Sequence, residues 1–269
     1  MIIDAHTHLN LLSDKIRTQK QQLEDLKKFR KKAKIDKTIV FATLPSLTED
    51  ALTTSNAIKL CENEKNIFVV AGISILFTND DLQTLRKYLE QKKIVGIKFY
   101  TGYEPFYPSD KRADKIYELC EEFDVPAIFH SGDTFKKGVG IKYSQPIHID
   151  ELAIKRPNLK IIIAHLGNPW LIDTMEMLYR HDNVYTDISA LVWSKFDKYF
   201  QKYYNDQIVH IIKWSAKNKL IFGTDWPCND DSTYETYMTQ YVEFVNKLKI
   251  SKKDKEKIFH LNAETLFKI

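Results

Sequence analysis

Cysteine is scarce in this chain: Cys61, Cys120 and Cys228 are the three among 269 residues. They are odd in number and scattered, with no Cys-x-x-Cys spacing, so no disulfide framework is implied and a reducing compartment fits. Long apolar runs are missing too, and no stretch approaches membrane-spanning length. The N-terminus lacks a basic segment followed by an apolar one, so the expectation is a cytoplasmic protein without a membrane partner. Charge of one sign is lacking as well, since 40 Lys and Arg against 36 Asp and Glu leave a net charge of only +4. The lysine-rich run from Lys27 to Lys37 reads as the solvated end of a surface helix rather than a nucleic-acid contact. There is no linker or low-complexity segment, and hence no sign of a domain boundary within residues 1–269.

What is present is a repeat of short β-branched or aromatic runs, each followed by turn residues and a stretch of helical periodicity. The strand candidates are Ile2–Leu9, Thr38–Thr43, Ile67–Ser74, Val95–Gly102, Val125–Gly132, Leu159–Gly167, Asn183–Ala190 and Leu220–Pro227. The intervening helix candidates are Ser13–Lys34, Leu47–Glu64, Asp80–Lys92, Ser109–Phe123, Ile149–Arg156, Trp170–His181, Phe196–Lys217 and Ser232–Lys249. Alternating units of this kind predict an α/β fold, a single-domain (β/α)8 TIM barrel, with Ser251–Leu266 as an extra C-terminal helix.

Active sites of such barrels lie at the C-terminal ends of the strands, so the last inward residue of each strand is the one to inspect. Strand alternation places Asp4, His6 and His8 on one face of the first strand. It groups Gly96, Lys98 and Tyr100 on the fourth, Ile128 and His130 on the fifth, Ile163 and His165 on the sixth, and Ile221, Gly223 and Asp225 on the eighth. Histidines on three strands, with a lysine and an aspartate at the same end, suit Zn²⁺ or a similar divalent ion. Asp4 reads as an acceptor holding an imidazole, and Asp187 as a partner of Ser or backbone groups. Substrate contacts are expected from Lys98, Tyr100, Trp226 and His148, the last with helix capping as its alternative. Tyr103, Phe106, Tyr107, Trp170 and Trp193 add aromatic rims that suit a planar or cyclic substrate, or else pack the loops onto the barrel.

The stretches Asp-Ala-His-Thr-His (4–8), Gly-Ile-Lys-Phe-Tyr (96–100), Phe-His-Ser-Gly-Asp-Thr (129–134), Ile-Ala-His-Leu-Gly-Asn-Pro-Trp (163–170), Asn-Val-Tyr-Thr-Asp (183–187), Phe-Gly-Thr-Asp-Trp-Pro (222–227) and Asn-Ala-Glu-Thr-Leu-Phe (262–267) resemble the amidohydrolase superfamily. More narrowly, they resemble its amidohydrolase-related group, which contains aminocarboxymuconate semialdehyde decarboxylase. The resemblance implies one divalent metal, most readily Zn, on His6, His8, His130 and Asp225. His165 is then an acid–base or substrate-contacting histidine, and Asp225 also the proton shuttle. The dinuclear relatives imply an alternative in which a carboxylated Lys98 bridges two ions and His165 helps to hold the second. The implied chemistry is hydrolysis of an amide, lactone or ester of a small cyclic or aromatic molecule by a metal-activated water. Non-oxidative decarboxylation of an aromatic or muconate-type acid is the runner-up, and a non-catalytic ligand-binding barrel stands third. Two departures stand out: Asp225 is followed by Trp-Pro-Cys where relatives often carry Tyr-Pro-His, and no arginine follows the strands to clamp a carboxylate. A homo-oligomer stays open.

Overall fold

The structure, a computed structural model, describes residues 1–9, 17–192, 198–216, 218–227 and 234–269. Trp193, Cys228 and the expected starts of three helices (from Ser13, Phe196 and Ser232) lie outside the described residues. Eight parallel strands run in sequence order around one sheet: β1 (Ile3–Thr7), β2 (Lys37–Phe41), β3 (Ile67–Ile73), β4 (Ile97–Phe99), β5 (Ala127–Phe129), β6 (Ile161–Ile163), β7 (Val184–Asp187) and β8 (Leu220–Ile221). The helices between and after them are α1 (Gln19–Lys32), α2 (Thr54–Cys61), α3 (Asn79–Glu90), α4 (Asp114–Phe123), α5 (Ile149–Lys155), α6 (Leu171–Arg180), α7 (Lys198–Ile211) and α8 (Tyr237–Lys247). The expected C-terminal helix is present as α9 (Lys252–Glu256) and α10 (Asn262–Phe267), joined by a wider helical turn at Lys257–Leu261. This is the single-domain (β/α)8 barrel that the alternation predicts. No helix among the described residues is long and apolar enough to cross a membrane.

Two apolar layers hold it together. One lies between strands and helices and contains Val40, Val69, Phe99, Phe129, Ile163 and Phe222. The other fills the barrel itself with Ile3, Ala5, Ile39, Phe41, Val70, Ile128, Ile162 and Ile221, and α10 adds Ala263, Leu266 and Phe267 to it. These inward side chains are branched or aromatic, which is how such a barrel becomes a packed core rather than a pore.

The inner layer corrects two face assignments. Ile3 and Ala5, rather than Asp4, belong to the barrel interior. The β1–β2 register slips between Asp4 and Thr7. An irregularity of this kind breaks the alternation of a strand, so His6 turns inward while Asp4 faces Thr224, accepting from its N at 2.9 Å and its Oγ1 at 2.7 Å. On β6, Ile162 is the interior residue and Ile163 packs outward. His165 returns to the barrel mouth because the chain leaves the strand in a tight turn with His165 at φ 58° and Leu166 at φ 49°. The expected faces of β4, β5 and β8 hold, with Lys98 in register with Ile128.

The barrel closes between β8 and β1. Ala5 N donates to Phe222 O at 3.0 Å, Asp225 N to His6 O at 2.7 Å and His8 N to Trp226 O at 2.7 Å. β8 is short because its neighbouring backbone groups turn to the C-terminal helix: Phe222 N donates to Ile258 O (2.9 Å) and Leu220 O accepts from Asn262 Nδ2 (2.7 Å). Gly223 sits in this seam, and a Cβ there comes within 2.9 Å of His6 Cβ. Neither backbone can yield easily. Gly223→Ala is expected to destabilise the fold by about 1–3 kcal/mol through overpacking, read as a lower urea midpoint at unchanged slope.

Candidate metal centre and active site

Three side chains from the closing seam converge at the barrel mouth. Asp225 Oδ1 lies 3.4 Å from His6 Nε2 and 3.2 Å from His8 Nε2. Among the described residues, His6, His8 and Asp225 form one of two groups whose ligand atoms all lie within 4.8 Å of one another. The other is His6, His165 and Asp187.

Hydrogen bonding decides what each group can do. Asp187 Oδ2 is 2.9 Å from His6 Nδ1, and its Oδ1 accepts from His165 N (2.9 Å), Ser189 N (3.0 Å) and Ser189 Oγ (2.5 Å). An ionised carboxylate only accepts, so His6 carries its proton on Nδ1. Ser189 has spent its single proton on Asp187, so it accepts from His165 Nδ1 at 2.8 Å. His165 therefore also carries its proton on Nδ1. His130 Nε2 is 2.9 Å from the Asp133 carbonyl and must donate to it. Each of the three imidazoles is thus pinned with one acceptor nitrogen left over. The His6–His165–Asp187 group is a hydrogen-bonded relay. In the His6–His8–Asp225 group, His6 Nε2 is left without a hydrogen-bond partner.

Charge follows the same pattern. Burial lowers the His6 imidazole, drives His130 well below its ordinary range and pushes His165 down to about 3, so these rings are neutral at pH 7. Burial works to raise the carboxyls of Asp187 and Asp225, but the surrounding histidines outweigh it and hold both well below the usual carboxylate range. Asp4, by contrast, is raised by burial to about 7 despite its bonds from Thr224.

This donor set fits a divalent cation. His6 Nε2, a lone pair in the tautomer that Asp187 imposes, has no hydrogen-bond partner and faces a carboxylate oxygen across 3.4 Å. Two lone pairs at that distance repel unless a cation lies between them. Tetrahedral bonds of about 2.0–2.2 Å put ligand atoms roughly 3.3–3.6 Å apart, which the spacings of 3.4 and 3.2 Å approach. His130 stands outside both convergent groups, with its ring centroid 5.1 Å from that of His165.

The same residues floor a cavity of about 150 Å³. Its polar lining includes His6, His8, Lys98, His130, His165 and Asp225, and its walls include Tyr100, Tyr103 and Phe135. Lys98 is buried, its Nζ has no hydrogen-bond partner among the described residues, and it lies 5.3 Å from the centre of the Phe41 ring. Burial lowers its ammonium to about 8 against the pull of Asp187 and Asp225. Tyr100 donates its hydroxyl to Ala42 O at 2.6 Å, which fixes it as wall.

Several expected contacts are not brought here. Trp226 is wholly buried, donating to Tyr234 O at 3.0 Å and packing on Phe29 and Tyr234, so it is core rather than cavity lining. His148 meets the Tyr107 ring edge-on at 4.5 Å and makes no side-chain cap bond to α5. Phe106 is packed beneath Phe99, and neither Tyr107 nor Trp170 lines the cavity. Asp4 does not hold an imidazole side chain. That task falls to Asp187, which also bonds to Ser and backbone as expected. Sequence reasoning missed the Asp187–Ser189 pair as the element that sets the tautomers. Its signal was the inward position of Asp187, with a hydroxyl two residues on.

Replacing that carboxylate tests the arrangement. Asp187→Asn is expected to weaken divalent-metal affinity by about 10–100-fold while the protein stays folded, as measured by competition with a chromophoric chelator. Wild-type affinity in this variant means that Asp187 does not orient His6.

The comparisons with known proteins agree with this fold. The family model described as "Amidohydrolase" matches residues 3–269. A curated relative, the gamma-resorcylate decarboxylase of Rhodococcus jostii, is 21% identical over 187 residues, which are 62% of this chain and 54% of that one. The match thus spans about half the length of that relative. An uncharacterised TIM-barrel protein of Bordetella bronchiseptica superposes with a TM-score of 0.79 at 19% identity, covering 98% of this chain and 97% of that one. A probable 2-pyrone-4,6-dicarboxylic acid hydrolase of Acinetobacter baumannii reaches 0.72 at 14% identity over 100% and 99% of the chains. A 5-carboxyvanillate decarboxylase of Novosphingobium aromaticivorans with bound manganese reaches 0.71 at 13% identity over 100% and 97%. With its family model matched from residue 3 to residue 269, the chain belongs to the amidohydrolase family.

Proposed function

We infer that this protein is a metal-dependent hydrolase acting on an amide, lactone or ester of a small single-ring substrate. The observation that carries this reading is the unprotonated His6 Nε2 set against the Asp225 carboxylate, with His8 on the same oxygen. His6, His8 and Asp225 hold one divalent ion, Zn²⁺ or Mn²⁺, and His130 offers its remaining acceptor nitrogen as the fourth ligand. When bound, such an ion supplies Lewis-acid polarisation and lowers the pKa of water from 15.7 towards about 7.

The chain's own groups divide the remaining work. Asp225 takes the proton of the attacking water and delivers it to the leaving group. Lys98, the buried ammonium facing the cavity, donates to the carbonyl oxygen as charge develops there. His165 presents an acceptor nitrogen, so it suits proton uptake rather than donation to that oxygen. A cavity of about 150 Å³ matches the space that takes up one benzene-sized ring.

Decarboxylation is the second reading. It is favoured by the decarboxylase names of the relatives and by Lys98, whose ammonium pairs with a substrate carboxylate as well as with an oxyanion. A two-ion centre with carboxylated Lys98 is the further alternative, in which His165, its Nδ1 committed to Ser189, offers Nε2 to the second ion.

Chelation should abolish turnover, and stoichiometric Zn²⁺ or Mn²⁺ should restore it. A panel of single-ring lactones, amides and carboxylic acids should then release acid without CO₂; CO₂ release moves the assignment to the decarboxylase, and failure to bind metal overturns both. Asp225→Asn should lower kcat by roughly 10²–10⁴. Lys98→Met should keep one metal per chain and lose about 10–100-fold in kcat/KM, a cost of ~1.4–2.7 kcal/mol in transition-state binding. Two ions per wild-type chain falling to one in that variant, with bicarbonate needed for full loading of the wild type, selects the two-ion centre instead.

A further inference from the structure

The outer faces of α6 and α7 are unlike the rest of the surface. Ile172 and Tyr179 on α6, with Tyr199, Tyr203 and Trp214 on and just beyond α7, are between 50% and 70% exposed. Four of the six exposed aromatic side chains among the described residues lie on this pair of helices, and the other two, Tyr107 and Phe135, lie on loops at the barrel mouth. An isolated exposed apolar residue needs no explanation, but a group of this size marks an interaction surface.

The spacing makes the group a stripe. At 100° per residue, positions 199, 203 and 210 fall within about 40° of one another on α7. Trp214 stays on that line by stacking on His210 at 6.4 Å with an interplanar angle of 17°. On α6, positions 172 and 179 are seven residues apart and share a face. Tyr179 meets Trp214 at 6.0 Å, which joins the two helices into one surface.

We propose that this α6–α7 face is an isologous interface between two copies of the chain. A straight stripe along a helix can pack on itself about a two-fold axis perpendicular to that helix, each residue meeting its equivalents on the partner. The flanking charges carry both signs: Glu176 and Arg180 on α6, Lys202, Asp206 and Lys213 on and beyond α7. A two-fold copy is therefore not met by a wall of like charge, and no single-sign field draws the face to an anionic surface or nucleic acid. The area reaches that of a small specific interface. Aromatic side chains contribute up to about 150–250 Å² each, so the four aromatic ones, between 52% and 70% exposed, offer roughly 500 Å² per copy, and two copies together reach the total of about 1,000 Å² that a specific interface needs. Tyr, Trp and their neighbours of this kind dominate interface energetics.

Sedimentation velocity of the wild type between 1 and 100 μM should show a dimer. The double variant Tyr203→Glu, Trp214→Glu should sediment as a monomer, with at least a hundredfold weaker association and unchanged far-UV circular dichroism. Hydrogen exchange provides the second reading: peptides covering 171–180 and 198–214 should be slower to exchange at 100 μM than at 1 μM. A wild type that stays monomeric at 100 μM overturns the proposal, as does a dimer whose protection maps to other helices or survives the double substitution. Neither residue belongs to the metal centre, so this outcome is independent of the assigned activity.

Discussion

The Asp187 carboxylate is the interaction on which the functional end of the barrel depends. Its two oxygens engage His6, His165 and Ser189 together, and from that the protonation of two imidazoles follows without further assumption. A carboxylate cannot donate, so the His6 ring must; Ser189, its proton spent on Asp187, must in turn accept from the His165 ring, and the other nitrogen of each ring is left as a base. A neutral, oriented imidazole is what a metal site or a proton relay requires. In isolation each ring would sample two tautomers, and the cavity would present a mixture of donors and acceptors. Burial keeps the rings neutral, and the shared carboxylate chooses which neutral form. Removing one member of such a network leaves the others unsatisfied in a low-dielectric setting, so the three act as a unit.

The centre also coincides with the place where the barrel closes. His6 O accepts from Asp225 N, and His8 N donates to Trp226 O; the backbone that joins β8 to β1 carries the three convergent side chains. The spacing of these side chains is therefore tied to the backbone hydrogen bonds that close the barrel just beyond the strand ends. The neighbouring contacts serve the same end: Phe41 from β2 stacks on His6 at 4.2 Å, and Thr224 is held by Asp4 from β1.

Much of this was legible from residue order alone. The eight strands, the closed barrel and the gathering of His6, His8, Lys98, His130, His165 and Asp225 at one mouth all follow from alternation and spacing. What failed did so where the backbone departs from ideal alternation. The register slip in β1 moved Asp4 off the face of His6, and the tight turn after β6 moved His165 one residue out of phase with Ile162. No residue-by-residue periodicity carries such a slip, because it is decided by how neighbouring strands pair. Trp226 was misplaced for a different reason. Its position after Asp225 suggests the rim, but its indole finds a carbonyl acceptor and two aromatic neighbours inside, and burying so large an apolar surface outweighs a rim position.

The left-handed residues show how the mouth is shaped. Among the described residues, the non-glycine positions with positive φ are Lys34, Lys92, Asp124, His165, Leu166, Ala190, Asp225 and Lys268. Lys34, Lys92, Asp124 and Lys268 follow helix C-termini, where this conformation is ordinary because it lets the chain turn while satisfying the last carbonyls. The other four all stand at the C-terminal ends of β6, β7 and β8, and His165, Ala190 and Asp225 line the cavity. No capping requirement accounts for them, and each costs of order 1–3 kcal/mol. They persist because hydrogen bonds over-determine them: His165 N is held by Asp187, Asp225 N by His6 O, and Asn168 N by His165 O. The network that fixes the imidazole tautomers is thus also the one that holds the strained backbone, so side-chain chemistry and main-chain shape at this mouth are a single construction.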